Sequence, residues 1–177
     1  RDHVATSKDP QSAAKLLIEE FRPTLDQLKL ALLERTKTEF DQSLAYDLYE
    51  VAFLFLQYEV LIDHETYQES LELIEKTITV FESLGHERDS KLAQADHHLG
   101  TLYQHQLAVG RDVEASYPKS LLAYKRALAL GEATGEHSEF TRRCFDQLTS
   151  LAISSGRNEE VLEVLAPWEQ DPLHAET

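Results

Sequence analysis

The chain has 177 residues, a length that fits one domain with a sizeable hydrophobic core. Its 32 acidic and 17 basic residues give a formal net charge of -15, which repels phosphate backbones and anionic lipid surfaces. We therefore expect no direct nucleic-acid ligand and no membrane partner. Because Cys144 is the only cysteine, an intramolecular disulfide and a cysteine-based metal cluster are excluded, and a reducing, cytoplasmic location is favoured.

The N-terminal residues 1–10 are polar and aperiodic, and we predict a flexible lead-in there. A signal peptide would begin with basic residues followed by an apolar stretch, and the N-terminal sequence does not show this pattern. The chain contains no Met and begins at Arg1, so we expect a fragment of a longer intracellular protein. In residues 11–36 the apolar side chains recur at helical spacing around Pro23, which predicts an additional helix or a helix broken at that proline.

The most apolar stretch of the chain lies within residues 40–63. Between Val51 and Ile62 only Gln57 and Glu59 interrupt the apolar run, so a helix here has no clean polar face. The run is shorter than the roughly 20 apolar residues of a membrane span. We predict a helix that is buried on more than one side, either within the chain or against a second copy in a homodimer.

Helical spacing of apolar residues continues through the rest of the chain, and no alternating pattern predicts a strand. One of these helices is predicted from about Tyr117 to Thr134, with Pro118 in its first turn. Glycines stand where four helices are predicted to stop. These glycines are Gly85, Gly110, Gly135 and Gly156.

The sequence repeats weakly with a shift of 50 residues. This shift superposes Ala45 on Ala95, Tyr67 on Tyr117, Ser70 on Ser120 and Gly85 on Gly135. We predict two tandem helical hairpins over residues 37–86 and 87–136, a shorter third unit over 137–170, and a tail over 171–177.

One part of the repeat resembles the tetratricopeptide repeat family. The residues that carry the resemblance are Leu99, Gly100 and Tyr103 in a first helix and Ser120, Tyr124 and Ala127 in a second. Asp96 departs from the family pattern, which has Trp at this position. The resemblance implies an all-α, right-handed stack of antiparallel helical hairpins with an extra N-terminal helix.

In such stacks the first helices of successive units line a concave groove that holds a peptide. Carrying that register onto this chain gives a predicted groove stripe: Asp47, Val51, Leu54, Phe55, Gln94, His97, Thr101, Gln104, His105, Arg143, Asp146 and Ser150. We expect an apolar anchor near Val51, Leu54 and Phe55, and expect Arg143 to reach an acidic group of the ligand. The alternative is that the stripe faces solvent or an extra helix that fills the groove.

The charge distribution suggests a second kind of partner. Between Thr38 and Glu75 there are ten acidic residues, no Lys or Arg, and seven of the fifteen aromatic residues. Such a surface suits a basic partner segment. The competing interpretation is that the aromatic residues form the core and the carboxylates a solvated outer face.

No constellation of residues predicts catalysis, a metal or a cofactor. His97, His98 and His105 lack the i, i+4 spacing of a zinc-binding helix. Cys144 shares its helical register with Phe140 and Leu148, which predicts a buried structural thiol.

We therefore expect a non-enzymatic module that binds a protein or peptide, or acts as a scaffold. The alternative is a sensor that binds a small peptide or metabolite and controls an effector, for example a transcription regulator. A structural role, in which the chain spaces two other domains, also stays open. An enclosed pocket of ligand size would favour the sensor, whereas an open groove or a large apolar patch would favour the interaction module.

Overall fold

A computed structural model describes the backbone of residues 10–59, 64–86, 89–135 and 139–167, and the side chains of residues 20–55, 67–86, 89–135 and 139–167. Within these ranges the protein is all-α, as predicted, and contains no strand. Its helices are α1 (Pro10–Arg35), α2 (Gln42–Glu59), α3 (His64–Ser83), α4 (Ser90–Ala108), α5 (Val113–Thr134), α6 (Glu139–Ser155) and α7 (Asn158–Leu165). None of the described helices is both long enough and apolar enough to cross a membrane.

Glycines end the helices at the predicted stops. Gly85 and Gly135, which the 50-residue shift superposes, have φ angles of 68° and 71°. This left-handed conformation is open to glycine at little cost. The backbone N–H of Gly135 donates to the carbonyl of Glu132 at 3.1 Å, so one of the last carbonyls of α5 keeps a partner.

Pro23 and Pro118 lie in the interior of α1 and α5. Helix α1 is continuous through Pro23, so the unbroken form of the N-terminal prediction is the observed one. Pro23 is exposed, so the backbone hydrogen bond that its ring removes is lost on the solvent side of the helix. Helix α5 begins at Val113, so the predicted start near Tyr117 is wrong. Pro118 sits in the second turn of α5, where it removes one bond without ending the helix.

The expectation that the most apolar helix is buried on more than one side is confirmed. Helix α2 packs against α1, α3 and α4. Leu44, Leu48 and Ala52 are fully buried and follow one another at intervals of four residues. The chain itself therefore covers the face of α2 that carries Leu44, Leu48 and Ala52, whereas Leu54 stays exposed. Residues 60–63, which complete the predicted segment, lie outside the described residues.

Helix α4 lies at the centre of the arrangement. Every helix packs against the next one in the chain, and α4 also contacts α2 and α6. Tyr49 of α2 bonds to Gln94 of α4 at 3.0 Å, and its ring stacks on His98 farther along α4. Opposite this side, Asp96 lies 3.4 Å from Arg126 of α5. Helix α4 thus has one side toward α2 and α6 and another toward α3 and α5.

Helices α4 and α5 approach each other most closely at Gly100. A Cβ atom at this position would lie 2.7 Å from the ring of Tyr124, closer than real Cβ atoms come to a neighbour. The Ser120 hydroxyl donates to the Gly100 carbonyl at 2.8 Å, and the Tyr124 hydroxyl donates to the Gln104 side chain at 2.8 Å. The missing side chain of Gly100 therefore lets the Tyr124 ring lock the two helices together.

Candidate binding cavity

A cavity of about 190 Å³ lies between α2, α4 and α6. Each of the three helices contributes side chains from a single face. The lining residues are Tyr49, Glu50 and Phe53 of α2, Lys91, Gln94, His97 and His98 of α4, and Phe140 and Arg143 of α6. Because these helices are separated in sequence, the cavity forms only in the folded chain.

Stacked rings form one wall of the cavity. The His98 ring stacks on Phe53 with a centroid distance of 5.2 Å and on Tyr49 with one of 5.6 Å. On the side of α6, the His97 ring lies 5.8 Å from the ring of Phe140. The walls therefore combine flat rings with polar side chains, which suits a ligand side chain that has an aromatic or aliphatic body and a polar end.

His97 and His98 bring polar ring nitrogens to the wall of the cavity. Burial lowers the pKa of His97 to about 4 and that of His98 to about 3, and the nearby Arg143 charge acts in the same direction. Both rings are therefore neutral near pH 7, each with one N–H donor and one acceptor nitrogen. His97 Nε2 and His98 Nδ1 are buried and have no hydrogen-bond partner among the described residues. A bound ligand that supplied such partners would remove the cost of two unsatisfied polar atoms.

The charged groups of the cavity differ in how they are paired. The Lys91 ammonium lies 3.0 Å from the Glu50 carboxylate and 4.5 Å from the centre of the Tyr49 ring. The Arg143 guanidinium lies 5.8 Å from the centre of the Phe140 ring and has no ion pair within the described part of the chain. Among the described residues that line the cavity, Arg143 is thus a cation without a neutralising partner, in a protein of charge -15. An acidic ligand group would be attracted to it.

The predicted groove stripe is only partly brought together at this cavity. Gln94, His97 and Arg143 line it. Gln94 also accepts a hydrogen bond from the Tyr49 hydroxyl at 3.0 Å, which fixes the amide between α2 and α4. Asp146 is exposed on α6, one turn beyond Arg143 and outside the lining.

The predicted polar residues farther along α4 connect helices instead. The Gln104 amide donates to the Ser150 hydroxyl of α6 at 2.9 Å. The Thr101 hydroxyl donates to the carbonyl of His97 at 3.1 Å, within α4 itself. The exposed His105 ring stacks on Tyr67 of α3 with a centroid distance of 6.0 Å.

The predicted apolar anchor does not form a surface of three side chains. Phe55 is 1% exposed and Val51 is 7% exposed, so both belong to the core, whereas Leu54 is 40% exposed. Consecutive residues of a helix point about 100° apart, so Leu54 and Phe55 do not share one face. Asp47 lies 3.1 Å from Arg35 of α1, on the side of α2 away from the cavity.

Several residues that line the cavity, above all His98, are not part of the predicted groove stripe. On α4 the lining residues Lys91, Gln94 and His98 follow one another at intervals of three and four, which is the spacing of one helix face. This face was visible in the sequence. The stripe followed His97 and Thr101 instead and so left out Lys91 and His98.

The described residues also bear on the predictions about metal ligands and about Cys144. Within the described ranges, no group of three His, Cys, Asp or Glu side chains is arranged to hold a metal ion. Cys144 is buried, as its register predicts, and burial raises its pKa to about 12. At neutral pH this thiol is therefore protonated and a poor nucleophile.

Comparison with known proteins adds information about the fold. Neither a protein-family model nor a curated protein matches the chain. Among solved structures, the chain is similar to BtubC (BKLC) from P. vanneervenii, with a TM-score of 0.57 and 16% sequence identity. The match covers 97% of this chain and 67% of that one. At this identity the similarity concerns the arrangement of the helices.

Proposed function

We propose that this chain is a non-enzymatic interaction module that binds a protein or peptide at the cavity between α2, α4 and α6. The observation that carries the proposal is the composition of this cavity. Aromatic rings form its walls, two neutral histidines offer unpaired nitrogen atoms, and Arg143 supplies an unneutralised cation. This combination fits a side chain with an apolar body and an acidic end, presented by a partner protein or peptide.

A tetratricopeptide-like stack of helical hairpins is the architecture that we propose for the module. Two observations support it. Helix α4 contacts both α2 and α6, as the first helices of successive units in such a stack would do. The close approach of Gly100 and Tyr124 involves two of the residues on which the family resemblance depends.

The size of the cavity favours an interaction module over a sensor of small molecules. Sites for drug-sized ligands usually enclose about 300–1,000 Å³. The cavity holds about 190 Å³, which suits one side chain of a partner rather than a drug-sized ligand. The sensor alternative would need a larger enclosed space than this cavity offers.

The charge of the partner follows from which ionic groups are already paired. Three carboxylates of the acidic segment between Thr38 and Glu75 have partners within the chain. Glu39 and Asp47 bond to Arg35, and Glu50 bonds to Lys91. These pairs reduce the acidic surface that would attract a basic segment. Arg143 is unpaired among the described residues, so we propose an acidic partner at the cavity, while the basic partner stays an untested prediction.

A selection from a random peptide library tests this proposal. We expect the wild-type protein to enrich peptides that carry Asp or Glu next to an apolar residue. Arg143→Glu should lose most of the binding to these peptides. Arg142→Glu is the matched control, because Arg142 is exposed on the same helix and does not line the cavity. Equal binding by the two variants, or no enrichment of acidic peptides, would contradict the proposal.

Self-association through α2 is a separate prediction, and the structure changes how it is tested. Phe55 is packed within the chain, so an Asp at this position would disrupt folding rather than a dimer. Leu54→Asp is the better probe, because Leu54 is exposed. Light scattering after size exclusion would show a loss of dimer in this variant if α2 mediates one.

A cytoplasmic location is part of the proposal and rests on the single, buried Cys144.

A further inference from the structure

A second cleft lies on the opposite side of α4, between α3, α4 and α5. It has a volume of about 240 Å³. Its apolar surface comes from Leu99, Leu122 and Ala123, and Leu122 is 59% exposed. The Tyr103 ring completes this surface, with the Lys119 ammonium 5.1 Å from its centre. The cleft therefore offers apolar contact area that the protein itself leaves uncovered.

Asp96 lies at the base of this cleft in an unusual environment for a carboxylate. Its side chain is 0% exposed, and neither carboxylate oxygen has a hydrogen-bond partner among the described residues. The nearest cation is Arg126, whose Nε lies 3.4 Å from Oδ2, longer than the 2.7–2.9 Å typical of a charge-assisted hydrogen bond. Arg126 instead bonds through its terminal nitrogen to Glu82 at 2.6 Å.

A buried carboxylate without hydrogen bonds is costly, and a donor that reaches it would remove this cost. The Arg126 side chain that covers Asp96 is 40% exposed. A neighbouring cleft of about 420 Å³, lined by Glu82, Leu92 and Leu130 among others, offers room on the other side of Arg126. The Arg126 side chain thus has open space beside it into which it can turn away from Asp96.

We propose that this cleft binds a small organic cation, a primary ammonium on an apolar body, with the Asp96 carboxylate as the acceptor of its hydrogen bonds. The apolar body covers Leu99, Leu122 and the Tyr103 ring. The ammonium takes the place of the Arg126 Nε and bonds to Asp96. Glu75, at the rim of the cleft, adds to the attraction of a cation.

The proposal predicts a dependence of binding on pH. Burial raises the pKa of Asp96 to about 7, the Glu82 charge acts in the same direction, and Arg126 opposes both. The other charged groups at the cleft are Glu75 from α3 and Lys119 from α5. An alkyl ammonium, like the Lys side chain, stays protonated through this range. Only the ionised carboxylate is a good acceptor for it, so binding should strengthen as the pH rises through 7.

Calorimetric titration with 2-phenylethylamine at pH 6 and pH 8 tests the proposal, with 2-phenylethanol as the uncharged control. Because the ionised fraction of Asp96 rises from roughly a tenth to nine-tenths over this range, we expect the amine to bind about tenfold more tightly at pH 8. The alcohol should show no such increase. Equal affinity for the amine at the two pH values would overturn the proposal.

Two variants locate the effect. Asp96→Asn should abolish the increase with pH, whereas Glu132→Gln, an exposed carboxylate elsewhere on α5, should retain it. Arg126→Gln should move the increase in amine binding to higher pH, because it removes the cation that lowers the pKa of Asp96. An amine affinity in Asp96→Asn that matched the wild type at both pH values would overturn the assignment, as would an unchanged pH dependence in a folded Arg126→Gln.

Discussion

On the two sides of α4, burial shifts the pKa values of ionisable groups in opposite directions. Asp96 and His98 lie two residues apart in sequence, but Asp96 faces α5 and His98 faces α2. Burial suppresses the charged form of each group, which raises the pKa of the aspartate and lowers that of the histidine. The aspartate therefore keeps a proton up to about neutral pH, whereas the histidine stays neutral down to acidic pH.

The packing of the two sides differs as well. Toward α5, Gly100 and Tyr124 bring the helices into direct contact. Toward α2 and α6, the His98 ring stacks on Phe53 and Tyr49, and the cavity lies beside these rings. One side of α4 thus fixes the spacing of the helices, and the other presents side chains to a partner. Changes on the two sides should therefore affect different properties.

The largest effect on stability should come from the closely packed side. Tyr124→Ala removes a fully buried ring and should lower the free energy of unfolding by about 3–5 kcal/mol. Gly100→Ala forces a methyl group against that ring and should cost about 1–3 kcal/mol. Chemical denaturation followed by circular dichroism measures both. In the Tyr124→Ala background the cost of Gly100→Ala should disappear, and additive costs would contradict the role given to the ring.

Protonation of His98, on the side of α4 that faces α2, should make stability depend on pH. The folded protein holds His98 neutral down to a pKa of about 3, whereas the unfolded chain binds a proton near pH 6.5. Stability from this group is therefore present above pH 6.5 and is lost as the pH falls. His98→Gln should reduce the rise of unfolding free energy with pH by roughly 1 kcal/mol per pH unit between pH 4 and pH 6. Parallel curves for variant and wild type would contradict this.

The aspartate side should produce the opposite slope. The pKa of Asp96 is raised from 3.8 to about 7 by folding, so its contribution to stability is greatest below pH 3.8 and is lost as the pH rises to 7. Asp96→Asn removes this loss and should make the stability curve rise more steeply, by roughly 1 kcal/mol per pH unit between pH 4.5 and 6.5. Denaturant titrations at several pH values measure the slope. A change with the same sign as that of His98→Gln would break the comparison.

The smallest effect should come from the link between the two sides. Gln104 accepts a hydrogen bond from Tyr124 and donates one to Ser150 of α6. Gln104→Ala should lower the free energy of unfolding by about 1 kcal/mol, the usual value of a partly buried hydrogen bond. Ser150→Ala removes only the exposed bond and is the matched comparison, with a smaller expected loss. A larger loss in Ser150→Ala would contradict this ranking.

The sequence predicted the fold well where one physical signal decides the structure. Helical periodicity located the helices, and Gly85 and Gly135 marked two of their ends, because a left-handed residue after a helix favours glycine. The same reasoning failed at the start of α5. A proline in the second turn costs one hydrogen bond, which the packing of Tyr117 and Tyr124 outweighs.

The candidate site was harder to predict because neighbouring residues of a helix lie only about 100° apart. The predicted stripe included both Leu54 and Phe55, although Leu54 is exposed and Phe55 is buried. Contacts between helices that are distant in sequence fix this rotation, and periodicity alone does not. The burial of Asp96 depends in the same way on α3 and α5, so its raised pKa could not be read from the sequence.

The most direct test of the account is to find which side of α4 contacts a partner. An acidic peptide recovered from the library selection would be added to the protein labelled for NMR spectroscopy of its ring and methyl groups. We predict shifts of the His98 and Phe140 ring signals and none at Leu122, which lies on the other side. A shift at Leu122 with the His98 and Phe140 signals unchanged would contradict the account.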